Sequence, residues 1–314
     1  MSEDASAFFT PSIDDHPATP PATTQQGGQR TWETSKAHSN AKVLVSVVTI
    51  VWNGIRTLPR ALESVLAQDY PDIEYVVIDG GSSDGTVELL RANEHRIGLW
   101  VSEPDSGISD AFNKGIAFSR GEFIGLLNSD DWYEPGAIGA VIEEMRRTGA
   151  DIACGRLQYW DGSRPTYLVT SDPALLSGGM SVGHPTVFVR RDCYRKVGLF
   201  RLDFRLAMDY EWLLRASAAG AHFAVIDRCI ANMQGGGIGD RRWRESQREV
   251  ARARSLHIKG AAGAVAYHSF VMRRILIGSL RRVVDAIGLG ILRRAYHRWL
   301  SPITITSNQR DDRQ

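Results

Sequence analysis

Two adjacent carboxylates, Asp130 and Asp131, close the segment LLNSDD at the end of an apolar run. Magnesium and manganese take such oxygen ligands, usually one or two protein carboxylates with phosphate oxygens and water completing the shell. Asp130 is the candidate metal ligand, with Asp131 beside it; capping of a helix after Pro135 is the competing use of the pair. Asp79 directly follows the buried-looking run 73–78, so its carboxylate sits at a strand end where a nucleotide base or ribose could donate to it. The same stretch, IDGGSSDGT, also reads as an ordinary strand-to-turn junction. Asp209 opens MDYEWLLRA, near the positive end of a helix dipole. It is either a plain N-terminal helix charge or a general base that takes a proton from a hydroxyl.

Other polar residues are less specific. His184 precedes Pro185 and the strand-like TVFVRR, and a lone histidine serves structure as readily as chemistry. QGGGIGD, residues 234–240, is flexible enough for a lid, with Arg241, Arg242 and Arg244 behind it to reach phosphate; a plain linker is the alternative. The Gly80-Gly81 pair matches neither GxGxxG nor GxxxxGK[ST], which excludes a Rossmann dinucleotide fingerprint and a P-loop.

The elements that must hold these residues follow from periodicity. VLVSVVTIV from Val43 is a β-branched run suited to a central strand covered on both faces. Leu58, Leu62, Val65 and Leu66 repeat at helical spacing after it, ending at Tyr70-Pro71. A strand over 73–78 follows, then a helix from near Thr86 capped by Ser83 or Asp84. LWVSEPD predicts a third strand, residues 112–118 a helix, residues 122–127 a fourth strand, and Pro135 the start of an amphipathic helix ending before Gly149. This alternation predicts a doubly wound, mostly parallel sheet, in which ligands bind beyond the carboxyl ends of the strands. Asp79, Asp105, Asp130 and Asp131 all lie at such ends. Further on, strands at 151–157, 186–189 and 222–226 and a helix over 207–219 predict a mixed second half.

Both termini differ in character. Residues 1–41 are rich in Pro, Thr, Ser, Gln and Gly and predict a disordered tail. Residues 241–300 predict a basic amphipathic helical extension, with Ile275, Leu276, Leu280, Val283 and Val284 interleaved with Arg273, Arg274, Arg281, Arg282, Arg293 and Arg294; residues 301–314 are a short tail. The 37 basic and 36 acidic residues of the 314 nearly cancel, which excludes a nucleic-acid footprint spread over the whole surface. Cys154, Cys193 and Cys229 show no metal or disulfide spacing, and no apolar run reaches the roughly 20 residues of a membrane span. A cytoplasmic protein is expected.

Taken in order, the motifs resemble inverting family-2 glycosyltransferases of the GT-A fold, from about Val43 to Asp240. VSVVTIVWNG resembles the opening strand and turn, IEYVVIDGGSSDGT the nucleotide-binding strand end, and EPDSGISDAFNKGI the segment leading to the metal motif LLNSDDWYEPGAI. GHPTVFVRRDCYRKVGLF resembles the acceptor-side strand and helix, and LAMDYEWLLRA the helix bearing the base. The resemblance implies a doubly wound, mostly parallel nucleotide-binding sheet continuous with a mixed acceptor-binding half, plus the C-terminal helical extension. It implies that Thr49, Trp52, Asn53, Asp79, Asp105, Asn113, Lys114, Asn128 and Asp131 serve the donor, that Asp130 binds Mn or Mg, that Asp209 is the base, and that His184 lies on the acceptor side. Asn128 stands where the family's Asp-x-Asp has its first acid, and Met208 where its Glu-Asp pair has the Glu.

The variant is especially similar to bacterial enzymes of exopolysaccharide, colanic-acid-type and phenolic-glycolipid assembly. The implied partners are a nucleotide-diphosphate sugar, uridine by default, and a lipid-linked or glycolipid acceptor, with no nucleic acid. The basic C-terminal helices would then rest on the inner leaflet of the cell membrane; packing on the core or a dimer contact is the alternative. A sugar nucleotidyltransferase would want a Gly-rich basic turn after the first strand, which VWNGIRTLP lacks; a non-catalytic nucleotide-sugar-binding subunit would keep the pocket but release no nucleotide diphosphate.

Overall fold

The computed structural model describes residues 10–17, 19–21, 24–29, 43–258, 272 and 305–306. The basic helices expected over 267–300 lie outside the described residues, apart from Met272. The parallel core consists of β2 (Val45–Val51), β3 (Ile73–Asp79), β4 (Leu99–Ser102) and β5 (Phe123–Asn128), counted after a short N-terminal β1 (Gln25–Gly27). β2 pairs in parallel with both β3 and β5, and β3 with β4.

Each strand of the core is buried on both faces, and the two-residue period of side chains sorts them between two clusters. Val45, Val47 and Val51 of β2 face a layer formed by α1 (Leu58–Leu66), α2 (Thr86–Ala92) and α4 (Ala137–Thr148). Val48 and Ile50 face the opposite layer, where α3 (Ile108–Phe118), α5 (Arg191–Val197) and α6 (Met208–Ala218) pack. The chain therefore crosses on one side through α1 and α2, then changes face with α3 and re-enters beside β2 as β5. That reversal of direction next to β2 is the switch point of a doubly wound sheet, and it opens a crevice outside the ends of β2 and β5.

The second half continues the same sheet. Beyond β5 it runs through β9 (Phe188–Arg190), β7 (Ile152–Asp161) and β10 (Phe223–Gln234) to β6 (Trp132–Tyr133). β9 is antiparallel to both β5 and β7, β10 is parallel to β7, and β8 (Arg164–Thr170) is antiparallel to β7. The mixed half expected from the sequence is present, with β6 and β8 added; β6 is only two residues long, and β8 is mostly solvated. All three cysteines are free.

Two boundaries differ from expectation. Within the N-terminal stretch expected to be disordered, Gln25–Gly27 pairs antiparallel with β4, and Ile13 in a short 3-10 turn is buried against the α3 side. An edge strand is held by backbone hydrogen bonds, which polar Gln and Gly supply as well as apolar residues do, so composition gave no sign of it. At the other end the core does not stop at 240: α7 (Ile238–Arg241) leads into α8 (Trp243–His257), whose Val250 and Ala253 are buried in the α3–α6 layer.

Gly115 shows how closely α3 lies on the sheet. A Cβ there would meet Val48 Cγ1 at 2.2 Å. Alanine in a helix interior gains up to about 1 kcal/mol over glycine, but overpacking against a central strand costs about 1–3 kcal/mol. Gly115→Ala is expected to be a net destabilisation, seen as a lower urea midpoint with an unchanged denaturant slope.

Candidate active site

The loops after β2 and β3 are laced together. Asn53 adopts φ 51, a left-handed conformation that asparagine tolerates better than most residues. Its backbone N–H donates to Ser82 Oγ (2.7 Å) and its Oδ1 accepts from Ser83 N–H (2.9 Å). Ile55 N–H donates to Asp84 Oδ2 (3.1 Å), and Asp84 Oδ1 accepts from Thr86 N–H (3.1 Å). Gly85, in a left-handed conformation, occupies the N-cap position of α2, so Asp84 acts one position before the N-cap.

Asp79 is the centre of this turn. Its Oδ2 accepts from Gly81 N–H (3.1 Å), Ser82 N–H (2.9 Å) and Ser102 Oγ (2.6 Å), and its Oδ1 accepts from Ser82 Oγ. A carboxylate offers about four acceptor sites, so this fully buried side chain is occupied in building the rim. Beside it, Gly80 permits a close approach: a Cβ there would lie 2.5 Å from Asp105 Oδ2 and 3.5 Å from Trp52 Cδ1. Trp52 is 71% exposed at the end of β2, a flat apolar surface open to solvent next to the Asp105 carboxylate. Burial holds Asp105 above the ordinary carboxylate range, against the Gly107 N–H bond and the charge of Lys114.

Other expected donor residues lie away from this opening. Thr49 shares the face of Val47 and Val51, is fully buried, and accepts from the Tyr75 hydroxyl (3.0 Å). Asn113 is also fully buried: Nδ2 donates to Phe200 O (2.8 Å) and Oδ1 accepts from Phe200 N–H (2.9 Å), a side chain pairing with backbone as a strand would. These two placements correct the expectation that both line the donor pocket. Lys114 is bound by Glu103 (2.8 Å) and Asp110 (3.4 Å). Burial opposes its charge, but those carboxylates hold its pKa above the usual lysine range.

At the end of β5, Asn128 Nδ2 donates to Asp131 Oδ2 (3.1 Å), while Asp131 Oδ1 accepts from Gln234 N–H (3.3 Å). Asp131 is buried and Asp130 half-buried. Burial, then the charge of Asp130, pushes Asp131 well above the ordinary range; burial also raises Asp130, with Arg60 opposing. Arg60 reaches in from α1 to donate to Asp130 O (3.3 Å), its guanidinium lying over the Trp132 ring. The sequence offered no sign of Arg60, which lies 70 positions from its partner. Among the described residues no group of three or more His, Cys, Asp or Glu side chains could hold a metal. Two adjacent, desolvated carboxylates of hard oxygen nevertheless fit a divalent ion that takes its remaining ligands from phosphate and water.

The Gly-rich stretch after β10 is anchored at the same rim. Gly235 N–H donates to Trp160 O (2.8 Å), and Arg241 Nε donates to Gly236 O (3.0 Å). Arg242 pairs with Glu245, and Arg244 lies 5.5 Å from the Trp243 ring centroid.

Asp209 and His184 meet in a separate, narrow cavity, otherwise lined by apolar and aromatic side chains that include Leu126, Tyr194 and Trp212. Asp209 Oδ1 accepts from Tyr210 N–H (2.7 Å). Burial raises the Asp209 pKa against the pull of His184, and burial lowers that of His184 against the pull of Asp209. The Nε2 of His184 is buried without a hydrogen-bond partner among the described residues.

The family model described as glycosyl transferase family 2 matches residues 46–212, more than half of the chain. The chain belongs to glycosyl transferase family 2. This glycosyltransferase is 35% identical over 193 residues to an uncharacterized glycosyltransferase of Mycobacterium tuberculosis, covering 59% of the chain and 72% of that relative. It is 29% identical over 187 residues to chondroitin synthase of Escherichia coli, covering 56% of the chain but only 27% of the synthase. In fold it resembles a mannosyltransferase of Pyrobaculum calidifontis solved with GDP-Man and Mn2+, with a TM-score of 0.57 at 15% identity over 87% of each chain. The GT-A-type architecture expected from the sequence is therefore the one present.

The helix that carries Asp209 in this glycosyltransferase is tied down by an ion pair and a hydrogen bond through Glu211. Glu211, fully buried, binds Arg215 (3.0 Å) within α6, and its Oε1 lies 2.8 Å from His257 Nε2 on α8. Burial alone would raise the Glu211 pKa, but the His257 and Arg215 bonds outweigh it and hold it below the ordinary range. A depressed carboxylate contributes stability above its unfolded pKa, about 4.3, and loses that contribution as pH falls through the folded value. Removing one partner from a buried pair costs about 3–5 kcal/mol. Glu211→Gln is expected to lose about that much at pH 7, with the gap from wild type closing below pH ~4; urea unfolding across pH checks both.

Proposed function

We propose that this glycosyltransferase moves one sugar from a nucleotide diphosphate to an acceptor hydroxyl, with inversion, in a metal-assisted single displacement. The observation that carries the reading is the division of carboxylates. One pair, Asp130 and Asp131, stands at the end of β5, and a separate desolvated carboxylate, Asp209, begins α6. Transfer needs those two functions in different places: a site for diphosphate charge, and a base on the acceptor side.

Trp52 offers its exposed ring to the nucleotide base, with Asp105 beside it and the Asp79 turn beneath. Asp130, with Asp131 beside it, would hold Mn or Mg; when bound, the ion supplies positive charge to the departing diphosphate. Asp209 accepts the acceptor's hydroxyl proton. Its raised pKa brings the carboxylate closer to neutrality, which makes it a stronger base than a solvated aspartate. The hydroxyl oxygen forms its bond to the anomeric carbon from the face opposite the diphosphate. The carbon–oxygen bond to the diphosphate breaks and takes its electron pair with it. His184, whose pKa burial lowers against the pull of Asp209, presents an unpaired ring nitrogen on the acceptor side.

Chondroitin synthase among the relatives supports a role in building polysaccharide or glycolipid. A lipid-linked acceptor and attachment to the inner leaflet of the membrane complete the proposal. Among the described residues no helix is long and apolar enough to cross a membrane.

Melting temperature, measured with uridine, guanosine, thymidine and cytidine diphosphates plus manganese or chelator, tests the donor half. A ligand at about 100 times its Kd adds roughly 2.7 kcal/mol to the folded state. The expected outcome is a metal-dependent shift with uridine diphosphate that Asp130→Ala abolishes; no shift with any diphosphate sinks the donor assignment. For the acceptor half, Asp209→Asn is expected to keep that thermal shift while turnover drops about 10²- to 10⁴-fold. Near-normal turnover in that variant would remove Asp209 from the chemistry.

A further inference from the structure

The entrance to α6 has no side-chain cap of its own; Ala207 stands at the N-cap position. The missing acceptor arrives from α8, more than 40 residues later. Glu249 accepts from Arg205 N–H (3.0 Å), Leu206 N–H (2.7 Å) and Ala207 N–H (2.9 Å). Three consecutive amides thus converge on one carboxylate, and Asp209 follows two residues further on. Glu249, Ala253 and His257 recur at four-residue spacing, so one face of α8 meets the start of α6 at two points: Glu249 at its entrance and His257 at Glu211 in its first turn. The family match ends at residue 212, so α8 lies outside the part of the chain that the family defines.

We propose that Glu249 is a positioning residue for sugar transfer: by binding the three amides that lead into α6, it sets the direction in which Asp209 enters its cavity. This rests on the reading of Asp209 as the base. Among the described residues, the charged and titratable groups around Asp209 include His184 from the 3-10 turn 184–186, Tyr194 from α5, Tyr159 from β7 and Glu249 from α8. Of these, Glu249 adds negative charge that favours the protonated form of Asp209, and His184 opposes it. Removing the Glu249 charge therefore moves Asp209 toward the ordinary carboxylate range. Burial alone would hold it higher.

Glu249→Gln keeps an oxygen for the amides but removes the charge, and Glu249→Ala removes both. Glu245→Gln, which takes the same charge from an exposed pair on the same helix, is the control. The first readout is the titration midpoint of Asp209 in the full chain, followed by NMR of aspartate labelled with 13C at Cγ and assigned by the signal lost in Asp209→Asn. The second is the pH profile of nucleotide diphosphate release, with UDP-N-acetylglucosamine as the donor probe. Glu249→Gln is expected to lower the midpoint and shift the acid limb of the profile with it. Glu249→Ala is expected to cut the plateau rate about 10²-fold, the loss produced by a displacement of about 1 Å, with donor KM unchanged. Glu245→Gln should do neither. A midpoint in Glu249→Gln equal to wild type, or a full plateau rate in folded Glu249→Ala, overturns the proposal. Normal turnover in Asp209→Asn instead overturns the base assignment beneath it, so the two failures are told apart.

Discussion

Pairing of β2 with β5 is the constraint on which the remaining arrangement depends. It places a strand that enters from α3 beside a strand that leaves toward α1, so the crossovers separate onto opposite faces of the sheet. The rim between them cannot be covered by either helix layer, and it becomes the crevice. Every residue of β2 is buried, so neither strand can slip by one position without turning Val45, Val47 and Val51 toward the wrong layer. The register thereby carries Asn128, Asp130 and Asp131 to the rim beside Trp52 and the Asp79 turn.

That rim holds more negative charge than folding alone would favour. Asp105, Asp130 and Asp131 are all raised by burial, and Arg60 is the cation that reaches the β5 pair. A desolvated carboxylate beside another costs free energy unless a cation joins it or one group stays protonated. A fold tolerates such a conflict where the pieces around it are rigid, and here they are. Asp79 binds two loops into one turn, and Asn113 fastens α3 to the chain at Phe200. Asp79 and Asn113, which the motifs present as ligand contacts, thus serve as the frame around these charged residues.

The Asp209 cavity is built by different means. Asp209 lies among aromatic and aliphatic side chains, with His184 lining the same cavity. Its helix carries little local capping and borrows an acceptor from α8, while Glu211 and His257 join the same two helices further along. The helix layer that packs around Asp209 consequently extends to residue 257, past the Gly-rich stretch that looked like a boundary.

The sequence by itself determined the strands of the parallel core, because β-branched runs such as VSVVTIV suit strands covered on both faces, and it determined the chemistry available at their ends. It also carried the family, since the ordered motifs from 46 to 212 survive without any knowledge of contacts. Tertiary structure decided which polar residues are free to meet a ligand. Thr49 and Trp52 are three positions apart, yet one is buried within the sheet and the other stands open, a difference set by where β2 ends. Only tertiary structure could bring Arg60 to Asp130 or Glu249 to the entrance of α6, because a hydrogen bond requires proximity in space, and local spacing carries no trace of partners more than 40 residues away.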